Sequence, residues 1–275
     1  MYIEKDCKRG YTEYCSCDVN NGEGSLMDVA VLIMEDGDTY EFHEAEKEMA
    51  WIMLKGKATV EYEGKTAEMD RPNPFDVSTY CLHLCAGQSC KITAHGHCEF
   101  YVQKTYNDKK WEAHLYLPEE TDTWHRGANG ECGGCIKRDV RTSFDYEINP
   151  LSNMVLGEII NLPGKWSSYP PHFHPQPEVY FYHFEDERGF GAGWVDGKIE
   201  ELHHHGLSII TKGNHPVVMA PGYPCCYLWG IRHLPGDPWE KTRIDDPVHE
   251  WLVDPKAKFW NGEDGVPMSE YTKEK

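Results

Sequence analysis

The stretch "SSYPPHFHPQPEVYFYHF", residues 167–184, decides the fold. A proline-rich segment leads directly into an aromatic strand pattern, and it carries His172 and His174, with Glu178 four residues after the second histidine. In an extended chain, residues two apart point to the same side, so the two histidines can enter one barrel. Glu178 stands an even number of residues further on and is predicted to point the same way.

A fourth candidate ligand, His215, lies in "KGNHP", residues 212–216. The surrounding segment "IITKGNHPVV" predicts an antiparallel return strand that brings His215 beside His172, His174 and Glu178. Neutral imidazoles and a carboxylate suit a borderline divalent ion, so we expect zinc first and manganese or iron second. Three histidines and one glutamate leave room on such an ion for water or substrate, which catalysis needs.

Two long stretches of the chain, residues 48–77 and 177–213, have similar patterns. Each has an aromatic-rich apolar strand, a second strand and a tight turn, at Glu63-Gly64 in one and at Asp196-Gly197 in the other. Asp-Gly between alternating runs is a strong hairpin signal, and capped helical patterns are scarce. The sequence therefore predicts an all-β chain of two antiparallel barrels or sandwiches in tandem.

The domain bounds follow from the Gly- and Cys-rich stretch "WHRGANGECGGCIKRD", residues 124–139, which we interpret as the boundary. We expect an N-terminal barrel over residues 1–125, a C-terminal metal-binding barrel over 140–255, and a surface tail over 256–275. Within the boundary, Cys132 and Cys135 form a lone C-x-x-C pair, which is a weak redox or zinc signal.

Composition excludes several classes of protein. The formal net charge of -19 argues against a nucleic-acid partner, because phosphate repels an acidic surface. No apolar run is long enough for a membrane helix, and the N-terminus shows no signal-peptide pattern. The eleven cysteines are an odd number, which fits a disulfide framework poorly and favours free thiols in a reducing cytoplasm.

The two-part pattern H-x-H-x(3–4)-E followed by G-x-H resembles the motif of the cupin superfamily. The longer strings "GKWSSYPPH", "HPVVMAPGY" and "DDPVHEWL" resemble the 5-deoxy-glucuronate isomerase family of inositol catabolism. The resemblance implies a tandem cupin (bicupin) of two jelly-roll barrels and an aldose–ketose isomerase that converts 5-deoxy-glucuronate to 5-dehydro-2-deoxy-gluconate. It also implies a cytoplasmic enzyme with a small uronate substrate, and we expect a homo-oligomer.

The substrate has one alternative within the same superfamily. Only "PQP" separates His174 from Glu178, and this short spacing is similar to that of the 5-keto-4-deoxyuronate isomerases of pectin breakdown. Two other functions fit the same ligand set, an iron dioxygenase and a non-catalytic cupin that binds a metal or a sugar acid. Dependence on oxygen distinguishes the first, and binding of a uronate without turnover distinguishes the second.

An isomerase of this kind moves a proton between adjacent carbons through an enediol, or shifts a hydride. Glu178 is a ligand with a possible second role as the catalytic base, and Tyr182, which shares its face of the strand, is the second catalytic candidate. Arginine pairs best with the substrate carboxylate. The substrate-binding candidates are Arg138, Arg188, Lys165 and Tyr227.

The first half of the chain is predicted to bind no metal. Aligning "EMAWIML" with "EVYFYHF" puts Glu48 at the position of Glu178, while Phe42, Glu44 and Ser89 stand where the three histidines would be. Two further histidine groups are interpreted as polarity without a site. "HGH", residues 95–97, is expected at an edge or in the core, and "HHH", residues 203–205, at the surface.

Overall fold

A computed structural model of the protein describes residues 1–18, 24–254, 256–257, 259–260 and 268, so most of the predicted tail lies outside the described residues. The first half forms strands β1 (Tyr2–Ile3), β2 (Gly10–Cys15), β3 (Asp28–Met34), β4 (Thr39–His43), β5 (Lys47–Tyr62), β6 (Lys65–Arg71), β7 (Cys81–Leu84), β8 (Ser89–Ala94), β9 (Cys98–Tyr106) and β10 (His114–Tyr116).

The second half forms β11 (Thr123–Arg126), β12 (Arg138–Phe144), β13 (Met154–Asn161), β14 (Trp166–Ser167), β15 (His172–Phe173), β16 (Glu178–Phe184), β17 (Phe190–Val195), β18 (Lys198–His203), β19 (Leu207–Ile210), β20 (Val217–Met219), β21 (Cys225–Arg232) and β22 (Ile244–Asp245). Short 3-10 helices cover Pro118–Glu120, Glu131–Gly134 and Pro247–Val253. The all-β tandem cupin expected from the sequence is confirmed.

The N-terminal barrel is built around the long strand β5. Its first part pairs with β7 and β9, and its second part pairs with β6 and β8, so one strand belongs to both walls of the barrel. The register shifts between Met53 and Lys55, where the strand turns from one wall to the other. Gly56 follows this bulge with φ +117°, and a Cβ atom there would lie 2.5 Å from the His97 carbonyl oxygen, so the bend requires glycine.

The C-terminal barrel has a seven-stranded wall in the order β1-β19-β16-β21-β13-β12-β11 and a four-stranded wall in the order β14-β20-β17-β18. The predicted tight turn between β17 and β18 forms at Asp196 and Gly197, both with positive φ. The strand pairing departs from the predicted domain bounds at two places. Strand β1, from the start of the chain, pairs with β19, and β11 pairs with β12.

Three hydrophobic clusters organise the molecule: one inside each barrel and one between them. Strand β16 contributes to two of these because its side chains alternate. Val179 and Phe181 pack into the cluster between the barrels, while Tyr180 and Tyr182 point into the C-terminal barrel. This parity places Glu178 inside the C-terminal barrel as well.

Candidate metal centre

The candidate centre lies where loops and strand ends meet inside the C-terminal barrel. Glu178 begins β16, His174 ends the segment after β15, and His215 lies just before β20. Nitrogen atoms of the two histidines and a carboxylate oxygen of Glu178 lie within 4.8 Å of one another, and all three residues are buried. The ring of His172 lies beside them, with its centroid 4.7 Å from that of His215.

The distances show donor atoms that converge on Glu178. Nε2 of His174 lies 3.1 Å from Oε2 of Glu178, and Nε2 of His215 lies 3.2 Å from the same oxygen. Although this second pair of atoms is close, His215 Nε2 is buried without a hydrogen-bond partner. Atoms that are close but not aligned with each other are typical of groups directed at a common point between them.

The other ring nitrogen of each histidine is held by a backbone carbonyl. Nδ1 donates to the Pro170 oxygen in His172 (3.1 Å), to the Gln176 oxygen in His174 (2.9 Å) and to the Gly213 oxygen in His215 (3.1 Å). A carbonyl only accepts, so the proton of each neutral imidazole is on Nδ1 and the lone pair is on Nε2. This is how metal-binding histidines are usually fixed in orientation and tautomer.

Burial and the neighbouring side chains act in opposite directions on the pKa values of the site. Burial acts to raise the pKa of Glu178, but its contacts with His174 and His215 lower it to about 2. Burial acts to lower the pKa of His174, and the adjacent Glu178 carboxylate outweighs it and raises that pKa. A neutral His174 would direct a lone pair at a carboxylate, so this position demands either a proton or a cation. The donor set therefore fits a divalent metal ion.

A cavity of about 320 Å³ opens beside this group and gives a substrate access to it. His172, His174 and Glu178 line one part of it. The other lining side chains include four basic and several aromatic residues: Arg126, Arg138, Lys241, Arg243, Trp124, Tyr180, Trp229 and Trp239. Basic and aromatic groups together suit a small anionic ligand with an apolar carbon face.

Two of the cavity arginines have no acidic partner. Among the described residues, neither Arg126 nor Arg138 forms a salt bridge, although the chain has a net charge of -19. Burial, reinforced by the charges of Arg126 and Arg243, lowers the pKa of Arg138 to about 10. Arg138 is buried, and its Nε has no hydrogen-bond partner. The cavity thus has an excess of positive charge that an anion would neutralise.

Of the four substrate-binding candidates predicted from the sequence, only Arg138 lines the cavity. Arg188 does not reach it, because its side chain is 82% exposed and its guanidinium is paired with Asp186 at 2.6 Å. Tyr227 is buried deeper in the barrel, where its hydroxyl lies 2.5 Å from Ser167 Oγ. Lys165 lies beside β14, outside the set of lining residues.

Tyr182, the predicted catalytic tyrosine, points into the barrel but does not line the cavity. Its hydroxyl lies 3.0 Å from Ser208 Oγ, in the buried cluster of the barrel. The tyrosine that lines the cavity is Tyr180, one step nearer to Glu178 on the same face, with its hydroxyl 2.7 Å from Ser168 Oγ. The sequence therefore predicts the correct face of β16 for the cavity tyrosine, but the residue on that face that lines the cavity is Tyr180 and not Tyr182.

Sequence reasoning missed Arg126, Arg243 and Trp239. These residues come from β11 and from the segment around β22, and only the fold brings them to the cavity. The sequence did offer a hint for Arg243, because this residue directly precedes the segment "IDDPVHEWL". That segment folds back so that β22 pairs with β15, which carries His172.

Two interpretations of the first half and of the histidine triplet require correction. Glu48 faces the space between the barrels, not the interior of its own barrel, because its neighbours Ala50 and Ile52 pack into the cluster between the barrels. It is therefore not the counterpart of Glu178. In the triplet, His203 and His204 are partly buried, and His205 is buried. The pair His95 and His97 is largely exposed, as expected for an edge.

Comparison with known proteins places the chain in a family. A sequence profile of the KduI/IolB family matches residues 2–252. The chain belongs to the KduI/IolB family. This confirms the family predicted from the sequence. Among the curated relatives, 5-deoxy-glucuronate isomerase of Geobacillus thermodenitrificans is 28% identical over 244 residues, covering 82% of this chain and 86% of the relative. That of Bacillus subtilis is 24% identical over 254 residues, covering 86% and 90%.

Solved structures support the KduI/IolB assignment at the level of the fold. An IolB-like protein of Salmonella typhimurium superposes with a TM-score of 0.83 at 20% identity, covering 92% of this chain and 99% of that protein. Oxalate decarboxylase of Lactobacillus farciminis superposes with a TM-score of 0.56 at 12% identity, covering 89% and 86%. No helix formed by the described residues is long and apolar enough to span a membrane.

Proposed function

We propose that the protein is a metal-dependent uronate isomerase that converts 5-deoxy-glucuronate to 5-dehydro-2-deoxy-gluconate. The curated relatives carry this activity in their names, and their similarity extends over more than four fifths of the chain. One structural observation supports the assignment above all others. Three histidines, each with Nδ1 bound to a carbonyl, surround Glu178 beside a cavity with arginines that lack acidic partners.

The ion would be held by His172, His174, Glu178 and His215, with zinc the first choice and manganese or iron the second. When bound, it would supply Lewis-acid stabilisation of negative charge on the substrate oxygens. The carbonyls of Pro170, Gln176 and Gly213 hold the imidazole rings so that Nε2 faces inward. No rearrangement of these rings is then needed when the site is filled.

The cavity residues orient the substrate. Arg138 and Arg126 would bind the uronate carboxylate, because a guanidinium presents paired donors to two carboxylate oxygens. Tyr180 keeps its proton, since burial raises its pKa well above the ordinary value, and it can donate to a substrate hydroxyl. Trp229 and Trp239 offer apolar surface to the carbon chain and help to exclude water.

Two carboxylates line the cavity and could move the proton of an enediol route: Glu178 and Asp145. Glu178 would be bound to the ion and is already contacted by Nε2 of His174 and of His215, so this carboxylate is poorly placed to take a proton from the substrate. We therefore assign any proton transfer to Asp145. Turnover in D₂O distinguishes the routes, since the enediol route incorporates deuterium from solvent and a hydride shift does not.

The deciding experiment changes His174 to Ala and measures bound metal by elemental analysis and isomerisation of 5-deoxy-glucuronate. The matched control is His95→Ala, an exposed histidine of the N-terminal barrel. We expect H174A to lose metal and turnover together while H95A keeps both. Full metal content and full turnover in H174A would contradict the site, and faster turnover of 5-keto-4-deoxyuronate would reassign the substrate.

Location and assembly belong to the same proposal. We place the reaction in the cytoplasm because the eleven cysteines are all free, the state that a reducing compartment maintains. The expected homo-oligomer stays a prediction, which sedimentation of the purified protein would test.

A further inference from the structure

A second group of potential ligands lies between the two barrels, apart from the candidate centre. We call Glu99, His183, His204 and His205 the inter-barrel cluster. Each offers one ligand atom, and these atoms all lie within 4.8 Å of one another. Glu99, His183 and His205 are buried, and His204 is partly buried. None of the four lines the cavity of the candidate centre.

Strand alternation explains how the cluster forms. On β9, Phe100 and Val102 fill the N-terminal barrel, so Glu99 points the other way, toward the C-terminal barrel. On β16, Val179 and Phe181 face the N-terminal barrel, and His183 continues that face. The cluster is therefore assembled from both halves of the chain.

The turn between β18 and β19 supplies the remaining two histidines. His205 has φ +60°, a left-handed conformation that is uncommon outside glycine. The turn is held by hydrogen bonds from His205 N to the Tyr182 oxygen (2.7 Å) and from the Tyr14 hydroxyl to the His205 oxygen (2.5 Å). The backbone thus maintains an unfavourable conformation that directs the His205 ring at Glu99.

The atoms converge as they do in the candidate centre. Oε2 of Glu99 lies 3.2 Å from His205 Nε2 and 3.6 Å from His183 Nδ1. Ligands of a tetrahedral zinc ion with bonds of about 2.1 Å stand about 3.4 Å apart, which is close to both separations, although the shorter one is also a hydrogen-bond distance. His183 Nδ1 and His204 Nε2 are both buried without a hydrogen-bond partner. Buried polar atoms without partners are rare in folded proteins, and here two of them belong to one cluster.

The surroundings fix the ligands in place. The other oxygen of Glu99, Oε1, accepts from His97 Nε2 at 2.9 Å and from Lys55 Nζ at 3.0 Å. This leaves Oε2 for a single bond to an ion. The backbone N–H of Phe184 donates to His204 Nδ1, so a neutral His204 carries its proton on Nε2. His204 is then suited to donate to a water on the ion, and Glu99, His183 and His205 are suited to bind it directly.

We propose that the inter-barrel cluster is a second site for a divalent transition metal, zinc first, in which Glu99, His183 and His205 are ligands and the ion joins the two barrels. Imidazole and carboxylate donors suit zinc. Because the site lies outside the substrate cavity and draws ligands from both barrels, its ion contributes to stability and not to turnover.

A third group of potential ligands, Cys17, Asp18 and Asp28, differs from the inter-barrel cluster because a lysine already neutralises its carboxylates. There the ammonium group of Lys47 pairs with Asp28 at 2.8 Å and with Asp18 as well, so a protein cation already occupies the position between the carboxylates. In the inter-barrel cluster, Lys55 contacts only the outer oxygen of Glu99, and the position facing the histidines is free of lysine and arginine contacts among the described residues.

The test uses the full-length protein, stripped with a chelator and titrated with Zn²⁺ against a chromophoric competitor. A variant with both His174→Ala and His215→Ala empties the candidate centre and leaves the inter-barrel cluster intact. We expect this variant to bind about one Zn²⁺ per chain and to show the visible bands of a low-symmetry site with Co²⁺. Adding His183→Gln should abolish this binding, whereas adding the control His95→Ala should not.

Thermal unfolding provides a second readout. Chelation should lower the unfolding temperature of the H174A/H215A variant and leave that of the triple variant with H183Q unchanged. The proposal is overturned if H174A/H215A binds no Zn²⁺, whether or not the H183Q variants fold. It does not depend on the isomerase assignment, because metal content and unfolding are measured without substrate.

Discussion

The two barrels are built in the same way, but the interior of one is polar at its site and the interior of the other is apolar. In the C-terminal barrel, the inward-facing side chains of β16 begin with Glu178 and Tyr180, beside a cavity of about 320 Å³. In the N-terminal barrel, the inward-facing side chains of the first part of β5 are Met49, Trp51 and Met53. The same strand geometry therefore holds a polar, accessible site in one half and an apolar core in the other.

Aromatic packing fills the N-terminal barrel. The ring of Phe42 lies with its centroid 3.9 Å from that of Trp51 and 4.6 Å from that of Tyr40. Phe42 is the residue that the sequence alignment put in the position of the first histidine. A barrel packed in this way stabilises its half of the molecule, because apolar side chains fill it and little cost of burying polar groups arises there.

The difference between the two barrels is tested most directly by changing one glutamate in each half of the chain, Glu178 and Glu48. Glu178→Gln removes the charge on which His174 and His215 converge, and we expect isomerase turnover to fall about a thousandfold with loss of bound metal. Glu48→Gln should leave turnover unchanged. Its carboxylate is buried and accepts from Ser152 Oγ, at 2.8 Å, and Asn153 N, at 2.7 Å, across the space between the barrels.

The Glu48 variant should instead lose about 2 kcal/mol of unfolding free energy, measured with urea, because a buried charged acceptor is replaced. Equal losses of turnover in the two variants, with no difference in metal content, would mean that the barrels are not functionally distinct.

A second test compares two arginines of the C-terminal barrel. Arg138→Met removes a buried guanidinium from the cavity, and we expect KM for the uronate to rise about 10- to 100-fold, since a charge-assisted hydrogen bond contributes about 1.5–3 kcal/mol. Arg188→Met, at the surface beside Asp186, should leave KM unchanged. Steady-state kinetics on both variants decide the matter, and an unchanged KM in R138M would remove Arg138 from carboxylate recognition.

A third test separates Tyr180 from Tyr182, which share one face of β16. Tyr180→Phe deletes the hydroxyl that lines the cavity, and kcat should fall about tenfold, as expected for one lost hydrogen bond in the transition state. Tyr182→Phe deletes only the contact with Ser208, so kcat should stay the same while stability falls by about 1 kcal/mol. The reverse pattern would restore Tyr182 as the catalytic tyrosine.

These pairs also show how far sequence reasoning reaches. The turns at Glu63-Gly64 and Asp196-Gly197 and the inward face of Glu178 follow from local rules, namely positive φ and strand alternation. Glu48 was assigned to the wrong side because the alignment matched apolar letters, and a shift of one residue reverses every side chain.

The remaining site residues are beyond local rules because they depend on long-range pairing. Arg126 joins the cavity through β11, which the sequence placed at the domain boundary, and Arg243 joins through the pairing of β22 with β15. His204 and His205 look like surface polarity in a strand pattern. Only the contact between the barrels brings them to Glu99, which lies 106 residues before His205 in the chain.

The last test concerns a charge inside the N-terminal half, where an effect on stability alone is expected. Asp28 is buried beside Lys47, at 2.8 Å, and accepts from the Cys17 backbone N–H at 2.7 Å. Burial acts to raise the pKa of Asp28, but these hydrogen bonds and the Lys47 charge lower it below its ordinary value of 3.8. A carboxylate with a lowered pKa stabilises the fold above its unfolded-state pKa, and that stability is lost as the pH falls through the folded-state value.

Asp28→Asn should therefore reduce the unfolding free energy by about 2 kcal/mol at neutral pH, with metal content and turnover unchanged. The difference from the wild type should shrink as the pH falls below 3.8, where the wild-type carboxylate also gains a proton. Urea unfolding of both proteins across this range measures it. A difference that stays constant with pH would assign the loss to packing and not to the charge, whereas a loss of turnover would show that the N-terminal half contributes more than stability.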